Sequence, residues 1–142
     1  VALRKASKEA GGENLQTLSH QQVMQEHQQY VVDLRNAVMR KLRVEADRIK
    51  REDCCQLGRW LASPGSQRYS HAPAFRELVG HHRAVHQELG QAAAAVNEGR
   101  YPDVLAILEP GQTLQKSNRA LIAAFKATSE QAHRTGNAAV PA

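Results

Sequence analysis

The chain has 142 residues, a length that suits one domain with a hydrophobic core of its own. Aromatic residues make up only 4% of the chain, and clusters of β-branched residues bounded by turns are missing, which favours an all-α fold over a β-sheet. The net charge is +5, but Lys and Arg are mixed with Asp and Glu without interleaved aromatics, so no nucleic-acid binding is expected.

The two cysteines are neighbours, Cys54 and Cys55, and adjacent residues almost never form a structural disulfide. We therefore expect reduced thiols and a cytoplasmic protein. No apolar run reaches the roughly 18 residues that a bilayer-spanning helix needs, and no signal-peptide pattern opens the chain, so no membrane association is expected. Because the chain begins at Val1 and not at Met, we interpret it as part of a longer protein.

The polar residues 1–13 contain two adjacent glycines and are interpreted as a linker or the frayed end of an upstream helix. A first helix is predicted from about Leu15 to Leu42, because apolar residues recur there in steps of three and four. Its predicted buried face consists of Met24, His27, Val31, Leu34, Val38 and Leu42. We assign one domain to residues 14–130 and a flexible tail to residues 131–142.

Residues 43–52 lack this periodicity, as expected of a charged connection or a fraying extension of the first helix. Asp53 is predicted to cap a short helix from Cys54 to about Ala62, which the sequence Ser63-Pro64-Gly65 ends. A thiol in the first turn of a helix lies at the positive end of the helix dipole. That position favours the thiolate, which is the form that binds metals.

Two more long helices are predicted, from about Ala74 to Glu98 and from about Tyr101 to Thr128. Pro110-Gly111 should kink the second of them. The inward-facing residues are Phe75, Leu78, His82, His86, Leu89, Ala93 and Val96 in the third helix, and Val104, Leu105, Leu108, Leu114, Leu121 and Phe125 in the fourth. Three long helices and one short cysteine-bearing helix indicate an antiparallel helical bundle, similar to a four-helix bundle.

Three histidines occupy predicted buried faces. His82 and His86 are separated by one helical turn, so both imidazoles can reach one metal ion. Such a pair alone is more often incidental, and a lone buried histidine is more often a hydrogen-bonded core residue than a ligand. Together with His27 and Cys55, however, the pair favours a closed tetrahedral zinc site of three imidazoles and one thiolate.

Four residues near these positions have simpler interpretations. Cys54 lies about 100° from Cys55 around the predicted helix, so it is interpreted as a bystander. His20 is the best substitute for a ligand, or a neighbour of the ligands, although solvent exposure explains it more simply. Gly58 is expected to let the short helix approach a long one, and Trp60 to anchor the core beside the site.

A closed four-coordinate site is typical of structural or sensory zinc, whereas catalytic zinc keeps one position for water, so no enzyme activity is expected. A di-iron bundle resembling hemerythrin would need bridging carboxylates on the buried faces, and the predicted faces carry none. The alternative without metal is a helical interaction module whose histidines are merely buried and hydrogen-bonded.

The spaced motifs resemble a bacterial family, the chemoreceptor zinc-binding domain. The signature of that family is a His with an aromatic three residues on, a Cys-x-Leu/Phe-Gly-x-Trp/Phe box and a terminal His-x-x-x-His. The corresponding residues here are His27 with Tyr30, the box Cys55-Gln-Leu57-Gly58-Arg-Trp60, and His82 with His86. Tyr30 stands where tryptophan is commoner, and the resemblance covers about residues 15–130.

The resemblance implies a helical bundle that holds one zinc ion with His27, Cys55, His82 and His86, forms a homodimer and regulates a signalling output module. The C-terminal sequence favours the signalling hairpin of a soluble chemoreceptor as that module, and a zinc-inhibited diguanylate cyclase domain is the other candidate. A redox sensor, in which an oxidant such as hypochlorous acid attacks the Cys55 thiolate, is an alternative function. An exposed apolar strip with Leu18 and Val32 is a candidate for subunit pairing.

Overall fold

The computed structural model describes residues 18–139, and their side chains up to residue 132. Within this range the protein is all-α, without strands, as the sequence predicted. The elements, with the α-helices numbered in chain order, are α1 His20–Arg40, α2 Ala46–Ile49, α3 Gln56–Leu61, the 3₁₀ helix Pro64–Tyr69, α4 Phe75–Asn97, α5 Tyr101–Leu108 and α6 Thr113–Ala139. The predicted linker over residues 1–13 lies outside the described residues, and the antiparallel order of the bundle stays a prediction.

A capping box starts α1. The Ser19 hydroxyl oxygen accepts a hydrogen bond from the Gln22 N–H at 3.1 Å, and the Gln22 side-chain oxygen accepts one from the Ser19 N–H at 2.8 Å. Leu18, predicted to be exposed, is buried in the same apolar cluster as Val23, which is the placement of a hydrophobic staple. The prediction was wrong because Leu18 precedes the cap and does not follow the helical period.

The C-terminal end of α1 comes earlier than predicted. Lys41 adopts a left-handed conformation with φ 55°, and the Leu42 N–H donates to the Ala37 carbonyl at 2.9 Å. Because the chain leaves the helix at this point, Leu42 is 49% exposed and its predicted place on the buried face is wrong. His27 and Leu34 are buried as predicted, so α1 presents its metal-binding candidate to the interior.

The charged segment 43–52 contains the short helix α2 and is fastened to α4. The Asn97 side chain accepts a hydrogen bond from the Val44 N–H at 2.8 Å and donates one to the Val44 carbonyl at 2.9 Å. A Cβ atom at Gly90 would overlap the Lys50 side chain, so glycine permits the close approach of this segment to α4. The segment thereby brings the Ile49 carbonyl to His86 of α4.

Helix α4 lies at the centre of the fold and makes its most extensive contacts with α6. Its predicted inward face is confirmed: Phe75 is half-buried, and the buried residues are Leu78, His82, His86, Leu89, Ala93 and Val96. Trp60 of α3 is also buried, and its ring packs edge-to-face on Tyr69 of the 3₁₀ helix with 5.3 Å between centroids. Trp60 is therefore a core anchor, as predicted.

The predicted fourth helix is broken into α5 and α6 and is not merely kinked. Glu109 precedes Pro110, and proline disfavours helical backbone at the residue before it; Glu109 accordingly has φ −66° and ψ 138°. Gly111 then takes φ 88°, a left-handed conformation that glycine adopts without strain. The chain thus turns between the two helices.

Two further differences from the prediction concern the helices on either side of this break. Leu105, predicted to face inward, is 48% exposed, because the short helix α5 buries one narrow face through Val104 and Leu108. Helix α6 continues to Ala139, past the predicted end near Thr128, and overlaps the segment assigned to a flexible tail. Among residues 18–139, no helix combines the length and apolar character that crossing a bilayer requires.

Candidate metal centre

His27 reaches the centre from the buried face of α1. Its Nδ1 donates a hydrogen bond to the Val23 carbonyl one turn earlier, at 2.8 Å. A carbonyl only accepts, so the neutral ring carries its proton on Nδ1 and leaves the Nε2 lone pair free. Burial lowers the pKa of His27 to about 4, which keeps the ring neutral at physiological pH.

His86 reaches the centre from α4 and is oriented in the same way. Its Nδ1 donates to the Ile49 carbonyl of α2 at 2.9 Å, and burial lowers its pKa. Its Nε2 lies 3.2 Å from Nε2 of His27. Two ring nitrogens without protons therefore point at each other, an arrangement that a cation between them would stabilise.

His82 lies one turn before His86 on α4, and its Nε2 is 3.0 Å from the Cys55 sulfur. Its Nδ1 is buried and has no hydrogen-bond partner among the described residues. The polar contact of this ring is thus with the Cys55 sulfur, in contrast to the two rings that a backbone carbonyl holds. Burial lowers the pKa of His82 to about 3, so this imidazole is neutral as well.

Cys55 is the N-cap residue of α3, which corrects the prediction that Asp53 caps a helix beginning at Cys54. The Cys55 sulfur accepts a hydrogen bond from the Gly58 N–H at 3.3 Å. Asp53 instead accepts hydrogen bonds from Arg51, at 3.0 and 3.1 Å. Aspartate is the commoner capping residue, but a sulfur at the cap also satisfies an N–H group of the first turn.

Gly58 has a different partner from the one expected. A Cβ atom there would overlap the Glu52 carbonyl oxygen and crowd Asp53, so the close approach is to the loop before α3 and not to a long helix. This contact fixes the direction in which α3 leaves the loop. Because the Gly58 N–H also donates a hydrogen bond to the Cys55 sulfur, this glycine fixes the position of the thiol.

The four ligand atoms of His27, Cys55, His82 and His86 all lie within 4.8 Å of one another, and the four residues are buried. A tetrahedral zinc ion with bonds of about 2.0–2.3 Å needs ligand atoms about 3.3–3.8 Å apart. The observed cluster therefore fits zinc with shifts of about 1 Å. Among the described residues this cluster consists of three histidines and one cysteine, without a carboxylate.

The thiol of Cys55 does not ionise by itself in this environment. Burial raises its pKa to about 11, more than the hydrogen bond from the Gly58 N–H lowers it, and the charge of Glu26 raises it further. The expectation that the helix start favours the thiolate is therefore wrong for the metal-free protein, because loss of hydration outweighs the dipole. A bound dication reverses this balance and displaces the proton.

Glu26 is a residue near the site that the sequence did not single out. Its Oε1 accepts a hydrogen bond from the Gln56 N–H, at the first residue of α3, at 2.9 Å. This bond ties the cysteine-bearing helix to α1 beside His27. Tyr30 completes the surroundings, with its ring centroid 6.0 Å from that of His27 and 5.5 Å from that of His86.

The other histidines and cysteine lie apart from the cluster. Cys54 is half-buried and outside the group of four, as its interpretation as a bystander predicted. His20 is exposed at the first residue of α1, so the simpler interpretation of this residue is confirmed. His71 is also exposed, and His81 is half-buried on α4. The side chain of His133 lies outside the described part of the chain.

Comparison with known protein families supports this assignment of the site. Residues 27–93 match the family model described as the chemoreceptor zinc-binding domain, and this stretch contains all four clustered residues. The resemblance seen in the motifs is confirmed over these residues, and zinc is the cofactor. No curated protein and no solved structure matches the chain.

Proposed function

We propose, because residues 27–93 belong to the chemoreceptor zinc-binding domain family, that this is a sensory domain whose zinc ion is held by His27, Cys55, His82 and His86. The observation that carries this proposal is the enclosure of one thiol and three neutral imidazoles within 4.8 Å. Four protein ligands fill a tetrahedral site and leave no position for water, so we propose regulation and not catalysis.

Bound zinc supplies a dication that stabilises the Cys55 thiolate beside three neutral imidazoles. Cys55 releases a proton when the site is filled, so zinc affinity rises with pH. Without the metal, His27 and His86 direct two lone pairs at each other, and Cys55 regains its proton. The site then no longer links α1, α3 and α4 through ligand bonds.

The element that changes is α3 with the loop before it. Cys55 contacts His82 of α4, and a hydrogen bond from the Gln56 N–H to Glu26 is the polar tie of α3 to α1 that the described residues show. Release of α3 on metal loss is the conformational signal that we propose for the output module. That module is the signalling hairpin of a cytoplasmic chemoreceptor, with a diguanylate cyclase domain as the alternative, and the domain works as a homodimer.

Redox sensing through Cys55 is the second candidate. An oxidant such as hypochlorous acid would attack the sulfur and remove it from the metal. Cys55 is completely buried, however, so the sulfur is reached only after α3 opens. This burial favours sensing of zinc, and zinc release that follows Cys55 oxidation at saturating zinc would instead support the redox function.

The test uses the full-length protein and measures its signalling output while a chelator is added. The wild type should respond, and Cys55→Ala should already be in the metal-free state and respond no further. Cys54→Ala is the matched control, because this neighbouring cysteine lies outside the cluster, and it should respond as the wild type does. A full chelator response in Cys55→Ala would contradict the proposal.

A further inference from the structure

A groove of about 730 Å³ lies between α1 and α6. Met24 and Val31 of α1 and Leu114 and Ile122 of α6 contribute apolar surface to it, and Leu108 lies at its end near the α5–α6 turn. Val32 also lines the groove and is 48% exposed, so it extends this apolar surface to the solvent. The groove is separate from the metal centre, because none of the four clustered residues lines it.

All charged residues that line the groove are cations. They are Arg35, Arg119 and Lys126, and none of them takes part in an ion pair among the described residues. Arg35 is also held in place, because its Nη2 donates a hydrogen bond to the Leu108 carbonyl at 3.0 Å. The guanidinium has further N–H groups that can donate to a ligand. The groove therefore combines an apolar floor with an unpaired basic rim.

The dimensions fit a helix. The groove extends from Met24 to Arg35 along α1 and from Leu114 to Lys126 along α6. At 1.5 Å per residue these stretches are about 17 and 18 Å long, the length of about 11 or 12 residues of a third helix. An amphipathic helix laid between two helices buries its apolar face in this way.

We propose that this groove binds an amphipathic helix with acidic flanks, supplied by a partner protein. Carboxylates on both sides of its apolar face would meet the unpaired cations of Arg35, Arg119 and Lys126. A second copy of this chain fits less well, because a symmetric pairing through the groove would bring the basic rims together. Asn118 adds a buried Oδ1 that lacks a partner among the described residues, and a side-chain N–H of the helix would satisfy it.

The groove shares α1 with the metal centre. His27 lies on that helix between Met24 and Val31, which line the groove, and is separated from them by three and four residues. A helix bound in the groove therefore contacts the same helix that zinc holds, on a face adjacent to that of His27. This link to signalling, unlike the groove itself, rests on the proposed sensory function.

The test measures fluorescence anisotropy of labelled model peptides with the zinc-loaded full chain. The probe is a helical peptide of about 18 residues with leucines at the spacing of one helix face and glutamates on both sides of them. One control peptide carries lysines in place of the glutamates, and another has its leucines out of helical register. Sites are tested with Arg119→Glu and Lys126→Glu, with Val32→Asp on the apolar surface, and with Arg68→Glu as the exposed basic control outside the groove.

We expect the acidic amphipathic peptide to bind at least about tenfold more tightly than either control peptide. Arg119→Glu, Lys126→Glu and Val32→Asp should each weaken it about fivefold or more, and Arg68→Glu less than twofold. Equal loss with Arg68→Glu would mean attraction to net charge alone and overturn the proposal. Displacement of the peptide by sodium decanoate would also overturn the proposal, because it would identify a small anion as the occupant. A dimer that Val32→Asp dissociates in sedimentation would overturn it as well, because it would identify a second copy of the chain as the occupant.

Zinc content is measured on the same samples by elemental analysis, so the two proposals can fail separately. If the zinc-loaded chain does not bind the peptide, the proposal that the groove is a binding site is overturned, whereas the proposed sensory function is unaffected. If the peptide affinity is the same with and without zinc, the groove is still a binding site, but its coupling to the metal centre is refuted.

Discussion

Nε2 of His27 and Nε2 of His86 lie 3.2 Å apart, while each ring donates through Nδ1 to a backbone carbonyl. The carbonyl that orients His86 belongs to Ile49, in a separate segment of the chain. Neither Nε2 has a proton to offer the other, so the contact joins two lone pairs. The fold thus builds, from neutral groups, a position that a cation stabilises and that is costly to leave empty.

This arrangement predicts how the metal-free protein responds to pH. Burial lowers the pKa of His27 to about 4 and that of His82 to about 3, below the ordinary value of 6.5. Between pH 6.5 and these values the unfolded chain binds more protons than the folded protein does. The contribution of the two neutral rings to stability is therefore complete above pH 6.5 and is lost as the pH falls. We expect a loss of about 2 kcal/mol for each histidine between pH 7.5 and pH 5.

The measurement is urea denaturation of the chelated protein at the two pH values. The double variant His27→Gln/His82→Gln is the control, because it removes both titrating rings and should reduce the pH dependence. Equal stability of the chelated wild type at pH 7.5 and pH 5 would contradict the assignment of two buried neutral imidazoles.

Gly58→Ala should disturb the centre although Gly58 contributes no ligand. The added Cβ would overlap the Glu52 carbonyl, so α3 must shift and Cys55 must move with it. We expect a loss of about 2–3 kcal/mol of stability and weaker zinc binding. Gly80→Ala on α4 is the matched control, since a Cβ there meets no atom within 4 Å, and it should raise the stability by up to about 1 kcal/mol. Thermal unfolding with and without zinc distinguishes the two, and equal behaviour of both variants would refute the role of Gly58.

Glu26→Ala removes the acceptor that holds the Gln56 N–H and should therefore loosen α3. The expected cost is about 1 kcal/mol, with zinc affinity lowered several-fold. Glu26→Gln keeps an acceptor oxygen but removes the charge that raises the pKa of the Cys55 thiol, so it should bind zinc nearly as the wild type does. Asp33→Ala, which removes an exposed bond to Gln29 on the same helix, controls for loss of an acidic side chain. Competition with a zinc-binding dye measures all three, and wild-type affinity in Glu26→Ala would contradict this role.

The histidine positions could be predicted from the sequence because helical periodicity is a local property. Steps of three and four place His27, His82 and His86 on apolar faces, and the structure buries all three. Periodicity does not reveal how many neighbours a helix has, which is why Leu105 was assigned to the interior although α5 lies at the edge.

The supporting contacts of the site could not be predicted in the same way. Glu26 and Gln56, like Ile49 and His86, are far apart in the sequence and meet only through the fold. No local pattern marks a carbonyl that orients a histidine, or a glycine that packs on a loop. The direction of the pKa shift of Cys55 was also wrong, because the degree of burial, which decides it, follows from tertiary packing.

Metal content measured by elemental analysis tests the central claim most directly. The chain purified without added metal, and its variants Cys55→Ala and Cys54→Ala, are compared at equal protein concentration. The structure predicts about one zinc per chain in the wild type and in Cys54→Ala, and weak or absent zinc in Cys55→Ala. A wild type without metal, or zinc that is equally retained in Cys55→Ala, would contradict a centre of three histidines and one cysteine.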